Sequence, residues 1–375
     1  MDFDFTQDQE SLRDAVRRWV DKGFGFERRH ASAKAGGTTR EIYGELAELG
    51  LAGLAVPEAH GGLGFGAVEA MVVCEELGRG LVNAPYVHAA LVAPALLACA
   101  PAEVQSAWLP RVATGEALVV LAHQERAARY RLHHVETRAA HRGDQWVLNG
   151  RKSVVPAGDE ADAYVVPARI GGRDDEAEGI GLFLVERAAA QVRGYPTQDG
   201  ARAAEVTLEV APATLLAEQG HAVLELGVDV GIAAQCAEAV GVMDRLVALT
   251  VEYMNTRKQF GVAIASFQAL RHRIADVKMQ LELGRSMSYY ASLKLGEPPA
   301  QRRRAISQAR VQLGQSMRFV GQQCVQLHGG IGVTDEYAGS HYFKRLTMLE
   351  LGFGDSLHHL GEVSSRMQDT AGVFA

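Results

Sequence analysis

The chain has 375 residues with a formal net charge of −7, and 47% of its residues are hydrophobic. That length suits two or three domains at about 150 residues each, with enough apolar material for sizeable cores. The acidic balance excludes sequence-blind DNA or RNA binding, which needs a basic footprint.

In chain order, residues 1–118 read as helical. Thr6 followed by Gln9 is a capping box, and Leu12, Val16 and Val20 form the apolar face behind it. Ile42, Leu46, Leu49 and Leu54 open the next apolar tract, and Gly61-Gly62-Leu63-Gly64 is a turn cluster. A helix is predicted from Val68 to Leu77, and the Ala/Leu-rich stretch from Ala84 to Ala100 reads as a buried helix. Residues 119–219 change character. Short apolar runs at Val119–Leu121, Trp146–Leu148, Tyr164–Val166, Leu182–Leu184 and Val206–Leu208 predict a β-barrel or sandwich. Gly171-Gly172-Arg173-Asp174-Asp175 is predicted as an exposed loop. From about Gly220 to residue 375 the helical spacing returns, and Arg302-Arg303-Arg304 is expected to be a solvated helix face. The pattern is helices, then strands, then helices, an α+β organisation.

Cys74, Cys99, Cys236 and Cys324 show no metal-type spacing and read as buried thiols of a reducing compartment. Met1-Asp2-Phe3-Asp4-Phe5 lacks a secretion-signal pattern, and the apolar runs fall short of the ~20 residues of a membrane span. A cytoplasmic setting, with no membrane span and no bound metal, is the expectation.

Two stretches concentrate chemistry. Val242, Leu246, Leu249 and Tyr253 trace a helix face that leads into Arg257-Lys258-Gln259-Phe260-Gly261. Gly261 is expected to break that helix, and Phe267 and Gln268 open the next, whose face is Leu270, Ile274, Val277 and Leu281. Such a junction offers a guanidinium to phosphate oxygens and amides to a nucleotide edge. A plain helix–loop–helix with a surface arginine and core phenylalanines is the alternative. The second stretch, Gln326-Leu327-His328-Gly329-Gly330-Ile331-Gly332, ends a helix with the face Ile306, Ala309, Leu313, Met317, Val320, Cys324 and Leu327. Three glycines in four positions exceed what a helix C-cap requires and permit close approach of a ligand.

Together with Val56-Pro57-Glu58, Glu75-Glu76-Leu77-Gly78-Arg79, Leu109-Pro110 and Leu148-Asn149-Gly150-Arg151-Lys152, these stretches resemble the acyl-CoA dehydrogenase family over nearly the whole chain. The tract Gly194 to Gly200 and the tail His341-Tyr342-Phe343-Lys344-Arg345 with Phe353-Gly354-Asp355 are most similar to the small subunit of pimeloyl-CoA-type and other heteromeric members. The resemblance implies an N-terminal helical domain, a middle β domain and a C-terminal four-helix bundle. It implies FAD as cofactor, an acyl-CoA substrate and electron-transfer flavoprotein as acceptor. A homo- or hetero-oligomer sharing FAD across its interface is implied as well. Carried over by motif, Arg257, Gln259, Phe260, Phe267 and Gln268 would contact the diphosphate and adenosine side of FAD, and Gln326, His328, Gly329 and Gly330 its ADP portion.

The middle domain departs from the family pattern. Gln124-Glu125-Arg126 stands where most members have Thr-Glu-Pro, and Val154-Val155-Pro156-Ala157 where most have Trp-Ile-Thr-Asn. The usual catalytic glutamate falls on Phe353 or Gly354, neither of which takes a proton; Asp355 is the adjacent candidate base. The family's alternative base location falls near Asp229, with Gly231 on the base position itself. Three functional readings follow: a catalytic dehydrogenase subunit, a non-catalytic partner completing a paralogue's FAD site, or a flavin oxidase or monooxygenase of the same fold.

Overall fold

A computed structural model of the chain describes residues 4–36 and 40–367. The helices are α1 (Gln7–Gly23), α2 (Phe26–Lys34), α3 (Arg40–Glu48), α4 (Ala67–Arg79), α5 (Ala93–Leu97), α6 (Ala102–Ala113), α7 (Gly220–Thr256), α8 (Gln268–Lys294), α9 (Pro299–His328), α10 (Ala338–Leu351) and α11 (Ser356–Ser365). The strands are β1 (Val119–Leu121), β2 (Arg138–Arg142), β3 (Gln145–Pro156), β4 (Ala163–Arg169), β5 (Ile180–Glu186), β6 (Gln191–Pro196), β7 (Arg202–Ala217), β8 (Lys258–Gln259) and β9 (Val262–Ala263). The chain forms two compact units, Met1–Arg29 with Ala67–Val82 and Ile232–Ala375, and His30–Gly66 with Asn83–Gly231.

The first unit is helical. α1 begins at the Thr6–Gln9 capping box, with Gln9 N–H donating to Thr6 Oγ1 at 3.2 Å and Thr6 N–H to Gln9 Oε1 at 3.0 Å. Its α9 is the central helix, flanked by α8, α10 and α11. The apolar stripe from Ile306 to Leu327 is buried throughout. Arg302 and Arg303 are buried too, contrary to the solvated face read from the sequence. They stand on a helix enclosed by neighbours, so charge alone did not place them in solvent. α4 and α7 cross at glycines. A Cβ on Gly241 would collide with the Glu75 carbonyl oxygen, and one on Gly78 with that of Glu238. Only hydrogen at both positions lets the two backbones come so close.

The second unit carries the sheet. β4, β2, β3, β7 and β5 pair in that order, and β5 returns to β4, closing the sheet into a barrel, with β1 on β4 and β6 on β7. The five apolar runs lie in β1, β3, β4, β5 and β7. β2 (Arg138–Arg142) and β6 (Gln191–Pro196) were missed in the sequence because both are polar and largely exposed. The Ala84–Ala100 stretch is buried as expected, but it runs through a π-helical turn, Val87–Val92, before α5. Leu49 and Cys99 are exposed, against expectation, while Cys74, Cys236 and Cys324 are buried thiols. Beneath the barrel surface Lys152, fully buried, donates to Glu125 Oε1 at 2.5 Å and to the Pro167 carbonyl at 2.8 Å.

α7 is long and apolar enough to cross a membrane by length and composition, yet 89% of its most apolar window is buried inside the protein. It is a core helix.

Two expectations follow for stability. Gly241→Ala should cost about 1–3 kcal/mol through overpacking. Gly44→Ala, in α3 with open space around its Cβ, should instead gain about 0.5–1 kcal/mol; urea unfolding separates the two, and equal effects would refute the crossing argument. Lys152→Met leaves the Glu125 carboxylate buried without its cation and should cost about 3–5 kcal/mol, whereas Lys152→Met with Glu125→Gln should recover part of that loss. Burial alone would raise the Glu125 carboxyl, but the Lys152 charge, the Thr137 hydroxyl and the Glu136 N–H outweigh it and hold the group below the usual carboxylate range. Its contribution is therefore present above the unfolded carboxylate pKa and lost as pH falls through the lower folded value, which acid titration of wild type against the double variant reads out.

Candidate nucleotide half-site and β-domain groove

α7 ends at Thr256, five residues before the predicted break. Residues 258–263 form a tight hairpin instead, with Gln259 paired to Val262. The two turn residues, Phe260 (φ 51°) and Gly261 (φ 80°), both take positive φ. This is what a two-residue hairpin of the primed type demands. Glycine accepts it freely; phenylalanine does so under strain. The Phe260 ring is 92% exposed and meets Phe267 edge-on at 6.1 Å. Arg257 and Gln259 are exposed on the same hairpin, and Ile264 N–H closes it onto the Arg257 carbonyl at 2.9 Å. Phe267 is the N-cap residue of α8 and Gln268 its first residue, as the sequence indicated.

A small apolar cluster brings the second stretch to the first. Met254 and Ile264 pack with Leu327, and Phe267, Leu270 and Ile274 cover them. The end of α9, with Gln326, Gly329 and Gly330, therefore lies beside the hairpin. Gly329 (φ 65°) and Gly330 have open space where a Cβ would stand, so packing within the chain does not ask for glycine at Gly330. At Gly332 it does, since a Cβ would strike the Val325 carbonyl oxygen at 2.7 Å. His328 is held inward: Nδ1 lies 2.7 Å from the Cys324 carbonyl, Nε2 lies 2.7 Å from the Tyr337 hydroxyl, and Tyr253 covers the ring at 4.7 Å. Burial lowers its pKa, opposed by the bond to Cys324. His328 thus braces the glycine turn, its two nitrogens occupied within the chain. An exposed guanidinium, three exposed glutamine amides and an open glycine turn are a donor set that fits a nucleotide diphosphate.

The turn after α10 is fixed from below. Arg310, fully buried, donates from Nε to the Gly354 carbonyl at 3.2 Å, and from an Nη to the carbonyls of Leu349 and, at 2.7 Å, Gly352. His359 Nε2 lies 3.2 Å from the Phe353 carbonyl and Nδ1 3.2 Å from Ser307 Oγ. Burial first, then the charges of Arg310, His358 and Arg303, pushes the His359 pKa down to about 2, so the ring is neutral. Phe353 (φ 55°) and Gly354 (φ 114°) both take positive φ. Asp355 is the N-cap of α11, its Oδ1 accepting from His358 N–H at 2.8 Å. Asp229 is fully buried on α7.

In the barrel unit the two departing stretches meet. Ser153 N–H donates to the Gln124 carbonyl at 2.8 Å. The register shift between Lys152 and Val155 turns Val154 outward at φ 52°. Together with Arg126, Arg193, Tyr195 and Glu205 they line an open groove of about 600 Å³. Glu205 accepts from Ser153 Oγ at 3.1 Å and Tyr195 Oη at 3.4 Å and pairs with Arg151 at 3.0 Å. Burial, then the Glu205 carboxylate, raises the Tyr195 hydroxyl pKa.

Sequence reasoning passed over Arg310, His359, Arg193 and Glu205. Arg310 had a signal, a lone charge within the buried stripe Ile306–Leu327; the others became visible only through the pairing of β6 with β7 and of α11 with α9.

Comparison with known proteins agrees with this arrangement. Residues 6–116, 121–210 and 218–368 match the N-terminal, middle and C-terminal domains of acyl-CoA dehydrogenase, respectively. A probable acyl-CoA dehydrogenase of Bacillus subtilis, YngJ, is 28% identical over 95% of this chain and 97% of its own length. A Tcur3481–Tcur3483 steroid ACAD variant superposes with a TM-score of 0.88 at 28% identity, covering 98% of this chain and 99% of its own. The ChsE4–ChsE5 complex of Mycobacterium tuberculosis gives 0.87 at 26%, covering 99% and 100%. The chain belongs to the acyl-CoA dehydrogenase family, FAD-binding oxidoreductases that act on the CH–CH group of acyl-CoA thioesters.

Proposed function

We propose that this chain is a subunit of a heteromeric FAD-dependent acyl-CoA dehydrogenase, of the pimeloyl-CoA-type small-subunit branch, and that it lends its nucleotide half-site to FAD held with a neighbouring subunit. The observation that carries this is Phe260: a large ring held 92% exposed on a strained turn, next to Arg257, Gln259 and an open glycine turn. Phe267 meets that ring only edge-on; a ligand and a second subunit would cover the face left exposed. Arg257 would neutralise the diphosphate, Gln259, Gln268 and Gln326 would bind nucleotide edges, Phe260 and Phe267 would wall the adenosine side, and Gly329 and Gly330 would let backbone N–H groups approach. His328 would act through the turn it braces.

FAD, when bound, supplies the hydride acceptor. The part left to this chain is the α-proton of the thioester, and Asp355 is the residue proposed to take it. The substrate class we infer is a dicarboxylyl, aromatic or steroid-derived acyl-CoA, in keeping with the steroid ACAD among its structural neighbours. Electrons would pass to electron-transfer flavoprotein, and a cytoplasmic setting goes with this reading.

A second reading is favoured by the 352–355 turn. The family's base position falls on Phe353 or Gly354, neither of which takes a proton, and Arg310 holds the turn from beneath, so this chain would complete a paralogue's site without carrying out proton abstraction itself.

Co-expressed with its paralogue, the chain should give an assembly with flavin absorbance near about 450 nm that bleaches anaerobically with one acyl-CoA of that class. Arg257→Ala should lose most of the flavin on gel filtration. Asp355→Asn should keep the flavin and lose about 10²–10⁴-fold in turnover. Unchanged turnover in that variant removes Asp355 as base. A chain that alone holds flavin and bleaches it with an acyl-CoA overturns the heteromeric reading, and unchanged turnover of the assembly with Asp355→Asn favours the second reading.

A further inference from the structure

We propose that the groove on the barrel unit is a phosphate-recognising site for a nucleotide-type ligand, in place of the flavin-ring seat that the matching stretches form in most family members. The inference is argued from residues of the barrel unit alone, and it goes with the reading in which the neighbouring subunit seats the flavin ring. The groove is built rather than incidental. Two of the non-glycine residues at positive φ among the described residues, Arg129 and Val154, both line it. Backbone strain of that kind persists where the surroundings impose it, commonly at binding sites.

Its charge balance selects the ligand. The two wall carboxylates are already matched, Glu125 by Lys152 at 2.5 Å and Glu205 by Arg151 at 3.0 Å. Arg126, 74% exposed and only within 3.9 Å of Glu205, stands at the rim. Arg193 is exposed on β6 across from it. What remains on offer to a ligand is therefore guanidinium, the side chain best matched to phosphate oxygens. The Tyr195 ring and the outward Val154 side chain add an apolar wall for a planar group. A cavity of about 600 Å³ is in the size range of small-molecule sites.

The same features disfavour a flavin ring. Arg126 stands at the family's proline, Val154 at its aromatic wall, and Pro156 has neither a hydroxyl nor an N–H to donate. Guanidinium forks beside an apolar wall suit a nucleoside phosphate. Its source is either the 3′-phospho-ADP end of a CoA thioester or a free nucleotide.

Calorimetric titration of the full chain tests this, with adenosine 3′,5′-bisphosphate, ADP and inorganic phosphate as probes. Wild type should bind a nucleotide probe, and Arg126→Ala with Arg193→Ala should weaken it at least tenfold at an unchanged melting temperature and flavin content. The titrations are repeated in the Arg257→Ala background, where nucleotide held at the half-site is lost and binding at the groove should remain. Preference for the bisphosphate over ADP assigns the ligand to CoA; equal affinity assigns a free nucleotide. The proposal falls if the double variant binds every probe as wild type does, or if no probe binds at millimolar concentration. It also falls if the double variant loses flavin in step with nucleotide, because the groove is then the flavin seat. Flavin loss in Arg257→Ala alone bears only on the half-site reading.

Discussion

The buried pair of Lys152 and Glu125 is the constraint on which the barrel unit's groove depends. Withdrawing two charges from water costs several kcal/mol per ion unless every donor and acceptor is met. Here they are met from several directions. Glu125 accepts from Lys152, from the Thr137 hydroxyl at 2.6 Å and N–H at 3.1 Å, and from the Glu136 N–H at 2.7 Å. Lys152 reaches on to Pro167 in β4. One carboxylate thus ties the loop after β1, the approach to β2 and the bulged part of β3 into a single piece. With Lys152 pinned inward, the bulge has to absorb the register shift at Val154, and that turns an apolar side chain into the groove. The outer wall is then free to vary in chemistry, because the fold is secured one layer below.

Much of the fold was legible because its strongest signals are periodic. The stripe on α9 from Ile306 to Leu327, the capping box at Thr6 and the five apolar strands each follow from burial on one face. The misses share a cause. β2 and β6 are strands by virtue of the neighbours they pair with, and their polar residues carry no alternation to read. Gly261 looked like a helix stop, but the hairpin from Lys258 to Ala263 took its place, since a Phe-Gly pair at a tight turn is not the Asn-Gly or Asp-Gly signal that marks such turns. Arg302 and Arg303 read as solvated because local sequence does not say which face of a 30-residue helix its neighbours enclose. The site was legible by residue type. That Gln326–Gly330 stands beside Arg257–Gln268 depends on the long-range packing of Leu327 against Met254 and Ile264.

The turn from Gly352 to Asp355 shows how a buried cation changes the meaning of a position. Arg310 holds the Gly352 and Gly354 carbonyls of this turn and that of Leu349 near the end of α10, and His359, whose pKa burial pushes down to about 2, holds the Phe353 carbonyl through its ring nitrogen. The backbone is thereby fixed through groups that do not titrate, independent of which side chains the turn displays. The segment is built for rigidity first. Any side chain displayed on it gains precise placement, and a chain that gives up the base can keep the rigid turn unchanged.

Two kinds of position thus stand apart in this family fold. The Phe260 hairpin and the Gly329–Gly330 turn carry, in exposed places, the residue types that the resemblance ties to the nucleotide, even against the strain at Phe260. At Arg126, Val154 and Pro156, and at Phe353 or Gly354, the chain departs from the residue types that the resemblance leads one to expect, while the backbone beneath is pinned by a buried ion pair and a guanidinium clamp. Strain at Phe260 persists because the hairpin imposes it, and its side chain is the most exposed large hydrophobic one among the described residues. The proposed subunit, whose cofactor site is completed by another chain, would account both for that outward aromatic and for the altered residues along the groove and the 352–355 turn.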